Sequence, residues 1–284
     1  MNFINILITG ANGQLGYDAV QLLSPFHKIV GLKKEELDIT KLKDVQNVIS
    51  NVKPQVIINC AAYTNVDRCE ENIDLAYNIN AYGCYNLALL SKQYDYRLVH
   101  ISTDYIFDGK KNKPYIESDK ANPLNIYGSS KLLGENFIKS LCPKHYILRT
   151  SWLYGQHGNN FVKTMLKLSI KNDTLNVVND QIGTPTYTVD LLKVIAMLIK
   201  TDNYGIYHVS NEGECSWYDF TKKILQLTNN KTKVLPIDSE QLDKPAKRPS
   251  YSVLKNHMLE HIFNYTIRSW EDALEEFLIV LEKL

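Results

Sequence analysis

The chain contains 284 residues, of which 44% are hydrophobic and 22% are charged, and its 32 basic and 31 acidic residues give a formal net charge of +1. This length and composition are typical of a globular protein with one large domain or two coupled domains, and they exclude a disordered or fibrous chain. The balanced charge disfavours a nucleic-acid-binding protein, and no apolar run approaches the roughly 20 residues that cross a bilayer.

The N-terminus and the cysteines indicate the cellular compartment. MNFINILITG enters a strand-like run directly and lacks the charged start, long apolar stretch and cleavage site of a signal peptide. The five cysteines are scattered, odd in number and without a CxxC pair, which favours reduced thiols over a disulfide framework or a zinc site. We therefore expect a cytoplasmic protein with no metal site and no membrane partner.

Apolar runs alternate with helical patterns over the first 155 residues. We predict strands at 5–10, 27–32, 55–63, 97–103 and 144–155. Helices are predicted between them at 14–24, 42–52, 74–94 and 122–141. The strands are short and almost continuously apolar, as expected when helices cover both faces of a parallel sheet with right-handed crossovers.

The pattern changes after about residue 155. We predict helices at 159–172, 188–201, 217–229 and 269–284, a strand at 204–210 and a loop at 177–188. The polar, proline-bearing segment 239–250 is the feature closest to a linker. The whole chain predicts an α/β fold, a Rossmann-type doubly wound parallel sheet with a smaller, interleaved C-terminal lobe. We assign residues 1–151 and about 186–208 to the first domain, and 152–185 and 209–284 to the lobe.

The segment GANGQLG (10–16) follows the first strand and opens the first helix. Gly10, Gly13 and Gly16 suit a tight turn, a bare backbone beside a pyrophosphate and close helix–strand packing. A glycine-rich turn can also be merely structural, but its position in the first βαβ unit favours dinucleotide binding. The intervening residues predicted to contact the cofactor are Asn12, Gln14 and Leu15.

The end of the second strand should lie at the adenosine ribose. The segment GLKKEELDIT places Lys33 and Lys34 before two glutamates. Two lysines can hold a 2′-phosphate, which favours NADPH; NADH and a merely solvated loop are the alternatives. Asp38 and Ile39 would border the adenine. After the third strand, the small side chains of Ala61 and Ala62 would let the backbone pass close to the cofactor.

A serine–threonine pair and a tyrosine–lysine pair are predicted to converge at the carboxyl ends of the strands. Ser102 and Thr103 end the fourth strand, and Tyr127 and Lys131 lie one turn apart on the next helix. Such a pair can be two chance neighbours on the surface. Beside a nicotinamide, however, the tyrosine can donate a proton to a carbonyl oxygen that the threonine orients. The lysine would hold the nicotinamide ribose and lower the pKa of the tyrosine.

These motifs resemble the extended short-chain dehydrogenase/reductase superfamily and, within it, the dTDP-4-dehydrorhamnose reductases. The likeness covers nearly the whole chain. GANGQLG resembles the cofactor loop of that family, CAAYTNVDRCE its nicotinamide side, STDYIFDG its Ser/Thr segment and NPLNIYGSSKLLGE its Tyr/Lys helix. The segments 149–166 and 177–191 resemble its substrate side, which separates it from sugar-nucleotide epimerases and dehydratases.

The resemblance implies NADPH-dependent reduction of the 4-keto group of dTDP-4-dehydro-6-deoxy-L-mannose to dTDP-L-rhamnose, with a lobe that binds the sugar nucleotide. It makes Thr103, Tyr127 and Lys131 catalytic. Further candidate cofactor contacts are Tyr63, Asn80 and Ser102. The candidate substrate contacts are Val66, Thr103, Asp104, Tyr105 and Trp152 at the sugar, Asn160 and Lys163 nearer the nucleotide, and Arg248 at the diphosphate. Trp152 could instead be a core residue, and Arg248 an exposed arginine of the lobe.

Two other functions stay open. One is a catalytically silent binding subunit on the same fold, as in the regulatory beta subunit of methionine adenosyltransferase. The intact catalytic set argues against it. The other is a reductase of a related 4-keto-deoxysugar nucleotide.

The assembly and a metal also depend on the resemblance. Some members of the family are described as dimers with Mg²⁺ held by acidic residues at the interface. Asp18 stands where a longer glutamate is expected, and Asp190 is displaced by one residue. We therefore predict no metal site, and either a monomer or a homodimer.

Overall fold

A parallel sheet of six strands forms the centre of the structure, a computed structural model that describes residues 3–282. The strands within these residues are β1 (Asn5–Thr9), β2 (Lys28–Leu32), β3 (Val56–Asn59), β4 (Arg97–Thr103), β5 (His145–Thr150), β6 (Leu153–Tyr154), β7 (Thr174–Val178), β8 (Ile182–Gly183), β9 (Thr186–Tyr187), β10 (Gly205–His208), β11 (Cys215–Ser216) and β12 (Lys233–Ile237). The central sheet has the order β2-β1-β3-β4-β5-β10, and every pair in it is parallel. The predicted α/β fold with a parallel sheet is confirmed.

Helices cover both faces of this sheet. The α-helices are α1 (Gln14–Leu23), α2 (Leu42–Val52), α3 (Val66–Glu71), α4 (Ile73–Tyr77), α5 (Gly83–Tyr94), α6 (Ile126–Leu141), α7 (Phe161–Lys171), α8 (Thr188–Leu198), α9 (Trp217–Leu227), α10 (His257–Phe263) and α11 (Trp270–Glu282). Within residues 3–282, no helix combines the length and the apolar character that a membrane crossing requires.

Alternating side chains of the central strands fill two separate cores, as the pleat of a strand requires. Ile6 and Ile8 of β1 point into a core shared with α1, α8 and α10. Leu7, between them, points into the opposite core, which α2, α5 and α6 complete. Both faces of the sheet are therefore covered, which explains why the strand sequences are almost continuously apolar.

The strand order reverses direction between β1 and β3, and ligands of open α/β sheets bind at such a switch point. Gly10 follows β1 there with a φ of +63°, a conformation that favours glycine. A Cβ on Gly10 would lie 2.8 Å from the backbone nitrogen of Ala61. The segments that follow β1 and β3 thus approach each other as closely as their backbones allow.

Three predicted elements are shorter or interrupted in the structure. The strand predicted at 55–63 ends at Asn59, and the N–H of Ala61 donates to the Thr9 hydroxyl at 3.3 Å instead of extending the sheet. The helix predicted at 74–94 contains a π-helical turn at Asn78–Tyr82, where α6 packs so closely that a Cβ on Gly134 would overlap the Asn80 carbonyl oxygen. The strand predicted at 144–155 divides into β5 and β6 because Trp152 adopts a φ of +46°, which breaks an extended strand.

The second half departs further from the prediction. The segment predicted as a loop at 177–188 contains the end of β7 and both β8 and β9. The parallel pair of β7 and β12 was not predicted, since Pro236 within β12 argues against a strand except at an edge. Helix α10 was not predicted either. It packs on β10 and on the core that contains Ile6 and Ile8, although its residues belong to the predicted lobe. The predicted domain boundaries stay a prediction.

Candidate active site

Two adjoining cavities lie at the carboxyl ends of the central strands. The smaller, about 580 Å³, is lined by the glycine loop and by residues of the predicted catalytic set. The larger, about 930 Å³, lies on the side of the lobe. Tyr105 and Trp217 line both cavities, so the two form one cleft. The predicted residues brought together in the smaller cavity are Asn12, Gly13, Gln14, Leu15, Gly16, Ala62, Val66, Ser102, Thr103, Asp104, Tyr105, Tyr127, Lys131 and Trp152.

The glycine loop has the shape that a dinucleotide phosphate needs. Helix α1 begins at Gln14, directly after Gly13, so the N–H groups of its first turn face the cavity. A Cβ on Gly16 would overlap the Gly10 carbonyl oxygen, and one on Gly13 would lie 3.3 Å from that atom. The bare backbone that a pyrophosphate requires is therefore present, and these residues fit a nicotinamide dinucleotide.

Other predicted cofactor residues are occupied by protein contacts. The Asn80 amide donates to the Tyr63 carbonyl and the Ser130 hydroxyl, both at 3.0 Å, and its oxygen accepts from the Tyr63 N–H at 2.8 Å. Asn80 therefore fixes the segment around Tyr63 against α6. The Ile39 side chain lies in the core against Gly83, which leaves only its backbone for an adenine.

The end of β2 presents charge to solvent. Lys33 is exposed, and its N–H donates to the Glu36 carboxylate at 3.0 Å. One oxygen of the half-buried Asp38 accepts from the N–H and the hydroxyl of Thr40 at 3.1 and 2.7 Å. The loop after β2 is thus folded on itself, with Lys33 accessible to a ligand.

Helix α6 brings the tyrosine beside the threonine. Its N-cap Asn125 accepts from the Gly128 N–H at 2.8 Å, and the Glu70 carboxylate accepts from the N–H of Ile126 at 2.8 Å. A Cβ on Gly128 would overlap the Tyr105 carbonyl oxygen, so the glycine lets α6 lie directly against the segment that follows β4. Tyr127 then meets Tyr105 edge to face, with ring centroids 6.0 Å apart.

The electrostatics of this pair differ from the prediction. Burial raises the pKa of Tyr127, and the neighbouring Thr103 hydroxyl offsets only part of that rise. The Lys131 ammonium instead donates to the Ile101 carbonyl at 2.5 Å and lies 3.3 Å from His100 Nε2. The predicted lowering of the Tyr127 pKa by Lys131 is not seen, since burial raises that pKa and the Lys131 ammonium contacts Ile101 and His100 instead.

Asp104 lies fully inside the cleft. Burial raises the pKa of its carboxyl to about 7. The Thr103 hydroxyl donates to it at 3.0 Å and also accepts from the Tyr105 N–H at 3.2 Å. The segment 103–105 is thus held rigidly, which fixes the direction of the Thr103 hydroxyl.

Trp152 and Trp217 form the aromatic wall between the two cavities. Their rings stack with centroids 3.4 Å apart and planes inclined by 7°. On the Trp152 ring, Gly183 packs so tightly that a Cβ would lie 2.5 Å from it. The positive φ of Trp152 is rare for a bulky residue and often marks a functional site. Sequence reasoning missed Trp217, for which the start of an amphipathic helix was the only signal.

Arg248 is held by a partner that was not predicted. Its guanidinium donates to both oxygens of Asp67 at 2.9 and 3.0 Å, and Lys244 lies 3.9 Å from the same carboxylate. These contacts lower the pKa of Asp67 despite its partial burial. Segment 239–250 therefore lines the larger cavity and is not a linker.

Two predicted substrate residues, Asn160 and Lys163, do not line either cavity. Asn160 caps α7 by accepting from the Lys163 N–H at 3.1 Å and donates to Gln14 at 3.1 Å. The Lys163 ammonium donates to the backbone carbonyls of Gln156 and Gly158. Asn160 thus ties the start of α7 to the glycine loop, and Lys163 fixes the segment that precedes α7.

The acidic residues considered for a metal are partnered separately. Asp18 accepts from Thr188, and burial raises the pKa of its carboxyl. Asp190 pairs with Arg268 at 2.8 Å and with Lys193 at 3.0 Å. Among residues 3–282, no three His, Cys, Asp or Glu side chains form a group that could hold a metal ion.

The family model for the RmlD substrate binding domain matches residues 4–282. The chain belongs to this family, that of the dTDP-4-dehydrorhamnose reductases. The dTDP-4-dehydrorhamnose reductase of Aggregatibacter actinomycetemcomitans is 41% identical over 284 aligned positions, covering 95% of this chain and 97% of that one. The spore coat polysaccharide biosynthesis protein SpsK of Bacillus subtilis is 43% identical over 274 positions, 96% of each chain.

A solved structure extends the likeness to the whole fold. The dTDP-4-dehydrorhamnose reductase of Bacillus anthracis, in complex with NADP, superimposes with a TM-score of 0.97 at 48% identity, covering 98% of this chain and 100% of that one. The resemblance that the motifs carried is confirmed, and with it the Rossmann-type architecture.

Proposed function

We propose that this protein reduces the 4-keto group of dTDP-4-dehydro-6-deoxy-L-mannose with NADPH, giving dTDP-L-rhamnose. The observation that carries the proposal is that Thr103, Tyr127 and Lys131 line the same cavity as the glycine loop. The relative from A. actinomycetemcomitans is named for this reaction. We further propose that it acts in the cytoplasm as a monomer or homodimer.

The glycine loop and the first turn of α1 would hold the cofactor, as their glycines and free N–H groups fit its pyrophosphate. NADPH supplies the hydride that reaches the carbonyl carbon. The B. anthracis relative was solved with NADP, and Lys33 is accessible for a 2′-phosphate, so NADPH is preferred over NADH.

The side chains of the cavity supply the rest of the chemistry. A carbonyl oxygen that gains negative charge requires a hydrogen-bond donor and then a proton. The single hydroxyl proton of Thr103, which points to Asp104 in this structure, would turn to the carbonyl oxygen when substrate binds, and Tyr127 would donate the proton. The raised pKa keeps the Tyr127 phenol protonated across the neutral range, ready for this step. Lys131 places its positive charge at the base of the cavity, where it holds the ribose.

The larger cavity offers partners for the nucleotide diphosphate of the substrate. Lys244, Lys247 and Arg248 line it and can bind phosphate oxygens, although its lining also carries the acidic residues Asp180, Glu240 and Asp243. A diphosphate that reaches Arg248 has to compete with Asp67 for the guanidinium. The aromatic wall of Trp152 and Trp217 would then separate the sugar from the nucleotide.

A direct test mixes the purified protein with NADPH and the 4-keto sugar nucleotide, made in place by its epimerase, and follows NADPH absorbance. Rapid oxidation is expected, and dTDP-L-rhamnose is the expected product. Tight NADPH binding without turnover on any 4-keto sugar nucleotide would instead identify a silent binding subunit. Faster turnover of another 4-keto-deoxysugar nucleotide would identify a related reductase.

A further inference from the structure

Three polar residues form a row across one face of the central sheet. Thr9 of β1 is paired in register with Asn59 of β3, and Asn59 with His100 of β4. All three side chains are at most 1% exposed. Two residues earlier on the same strands, the corresponding row is Leu7, Ile57 and Leu98, which lie in the core under α5 and α6. Burying a polar row costs free energy unless its hydrogen bonds are made.

The row is hydrogen-bonded along its length and ends at Lys131. The Thr9 hydroxyl and the Asn59 amide are 2.7 Å apart, and Asn59 lies 3.2 Å from His100 Nδ1. His100 Nε2 lies 3.3 Å from the Lys131 ammonium. The polar row therefore connects the strand before the glycine loop to the catalytic helix.

The charge of Lys131 decides the tautomer of His100. An ammonium has only donors, so Nε2 of a neutral imidazole must accept and Nδ1 must carry the proton. The structure places the Asn59 oxygen toward the Thr9 hydroxyl and its nitrogen toward Nδ1, so a protonated Nδ1 requires this amide to be turned end for end, which the equal shape of its two ends permits. Burial and the Lys131 charge hold the pKa of His100 well below its usual range, so the ring stays neutral.

The acceptors of Lys131 are neutral groups. Glu135, one turn further on α6, is bound by Arg149 at 2.8 and 3.0 Å and by the Ser102 hydroxyl at 2.6 Å. Cys60 after β3 and Cys84 of α5 also face this charge, and burial raises their pKa to about 12 and about 11, so both are thiols. The direct acceptors of Lys131 are thus the Ile101 carbonyl and His100, while the Glu135 carboxylate stabilises its charge without a hydrogen bond to it.

We propose that His100 is a positioning residue for Lys131, whose ammonium it holds at the base of the cofactor cavity through Nε2, supported by Asn59 and Thr9. The two neutral acceptors use two of the three N–H bonds of Lys131 and leave one directed to the cavity. This inference rests on the proposed reductase function, because it assigns Lys131 its role there. Burial lowers the pKa of Lys131, and loss of the His100 acceptor would lower it further.

Two polar variants separate positioning from mere packing. In His100→Gln the longer side chain can return an acceptor near the position of Nε2, whereas in His100→Asn it reaches only the position of Nδ1. We expect His100→Asn to lower kcat by about tenfold and to move the alkaline limb of the kcat–pH profile about one unit to lower pH. His100→Gln should recover most of both. The direction follows because a lysine with a lower pKa loses its charge at a lower pH.

Two results would overturn the proposal about His100. One is a folded His100→Asn variant with unchanged kcat and pH profile, and the other is an equal loss in His100→Asn and His100→Gln. If the unaltered protein turned over no 4-keto sugar nucleotide, the reductase function would fail instead. The proposal about His100 would then be tested by NADPH titration, where His100→Asn should bind more weakly than His100→Gln as the pH is raised. Equal affinities would overturn it.

Discussion

The cofactor side of the cleft and its substrate side are built by different means. On the cofactor side, the contacts are made by backbone and by small residues of neighbouring strands, as where Gly10 approaches Ala61. The register of β1, β3 and β4 places Thr9, Asn59 and His100 in one row. This side is part of the central sheet, and it cannot change shape without disturbing both cores.

The substrate side consists of side chains from segments far apart in the sequence. Trp152 follows β5, and its stacking partner Trp217 begins α9. Asp67 of α3 is bound by Arg248, 181 residues later. These contacts are few, and the ion pair is partly exposed.

The comparison indicates that cofactor binding and substrate binding have different tolerances. A backbone cradle fails when a single methyl group is added, because nothing around it can yield. A wall of side chains can lose one member and still bind, with a changed affinity. We therefore expect substitutions on the cofactor side to affect catalysis and NADPH binding strongly, and substitutions on the substrate side to change mainly KM.

The largest effect is expected from Tyr127→Phe. This change removes the proton donor and keeps the ring, so kcat should fall about 10²- to 10⁴-fold while NADPH affinity changes little. Steady-state kinetics and an NADPH titration measure the two quantities. Tyr82→Phe, on a residue that is 50% exposed, is the matched control and should leave both unchanged. A variant at Tyr127 that retained full kcat would show that another group donates the proton.

Gly16→Ala should nearly abolish NADPH binding. The added methyl group would overlap the Gly10 carbonyl oxygen and displace the loop from the cofactor, so we expect affinity to fall about 100-fold, roughly 2.7 kcal/mol. Gly13→Ala is the graded control, since its Cβ would lie 3.3 Å from the same oxygen and should weaken binding less. Equal affinities in the two variants would mean that the loop yields and that the cradle is not rigid.

The cofactor side was also the side that could be predicted from sequence. The glycine loop, the end of β4 and the Tyr127–Lys131 pair each lie within one short segment, and the order of strands and helices brings their ends together. Alternation of apolar strands and amphipathic helices was sufficient for the fold. The polar row was missed, because register between strands is not visible in any single segment.

The substrate side depends on contacts that no local pattern encodes. Nothing near Asp67 indicates a partner at Arg248, and a partly exposed strand such as β12, with Pro236 inside it, does not resemble a sheet strand. Asn160 and Lys163 are predicted substrate residues, yet Asn160 donates to Gln14 of the glycine loop and Lys163 donates to carbonyls of the segment before α7. Polar residues that bind a ligand and polar residues that join two segments have the same composition.

Trp217→Leu should produce an intermediate effect. It removes the ring on which Trp152 stacks while keeping an apolar side chain, so we expect KM for the sugar nucleotide to rise about tenfold and kcat to change less. Tyr218→Leu, one residue further on α9, does not line the cleft and is the control. A fall in kcat without a change in KM would contradict the proposal that Trp217, in the aromatic wall, contacts the sugar nucleotide.

The smallest effect is expected from Asp67→Asn, and its sign tests how the substrate side works. If the substrate diphosphate replaces Asp67 at Arg248, removing the competing charge should lower KM by about two- to fivefold, in keeping with the modest strength of partly exposed ion pairs. Arg248→Met should raise KM, because it removes the group for which both anions compete. Added salt should raise KM more steeply in Asp67→Asn than in the unaltered protein, where it also weakens the competing pair, and it should affect Arg248→Met least. A higher KM in Asp67→Asn would instead mean that Asp67 orients Arg248 for the diphosphate, and the substrate side would then be as preorganised as the cofactor side.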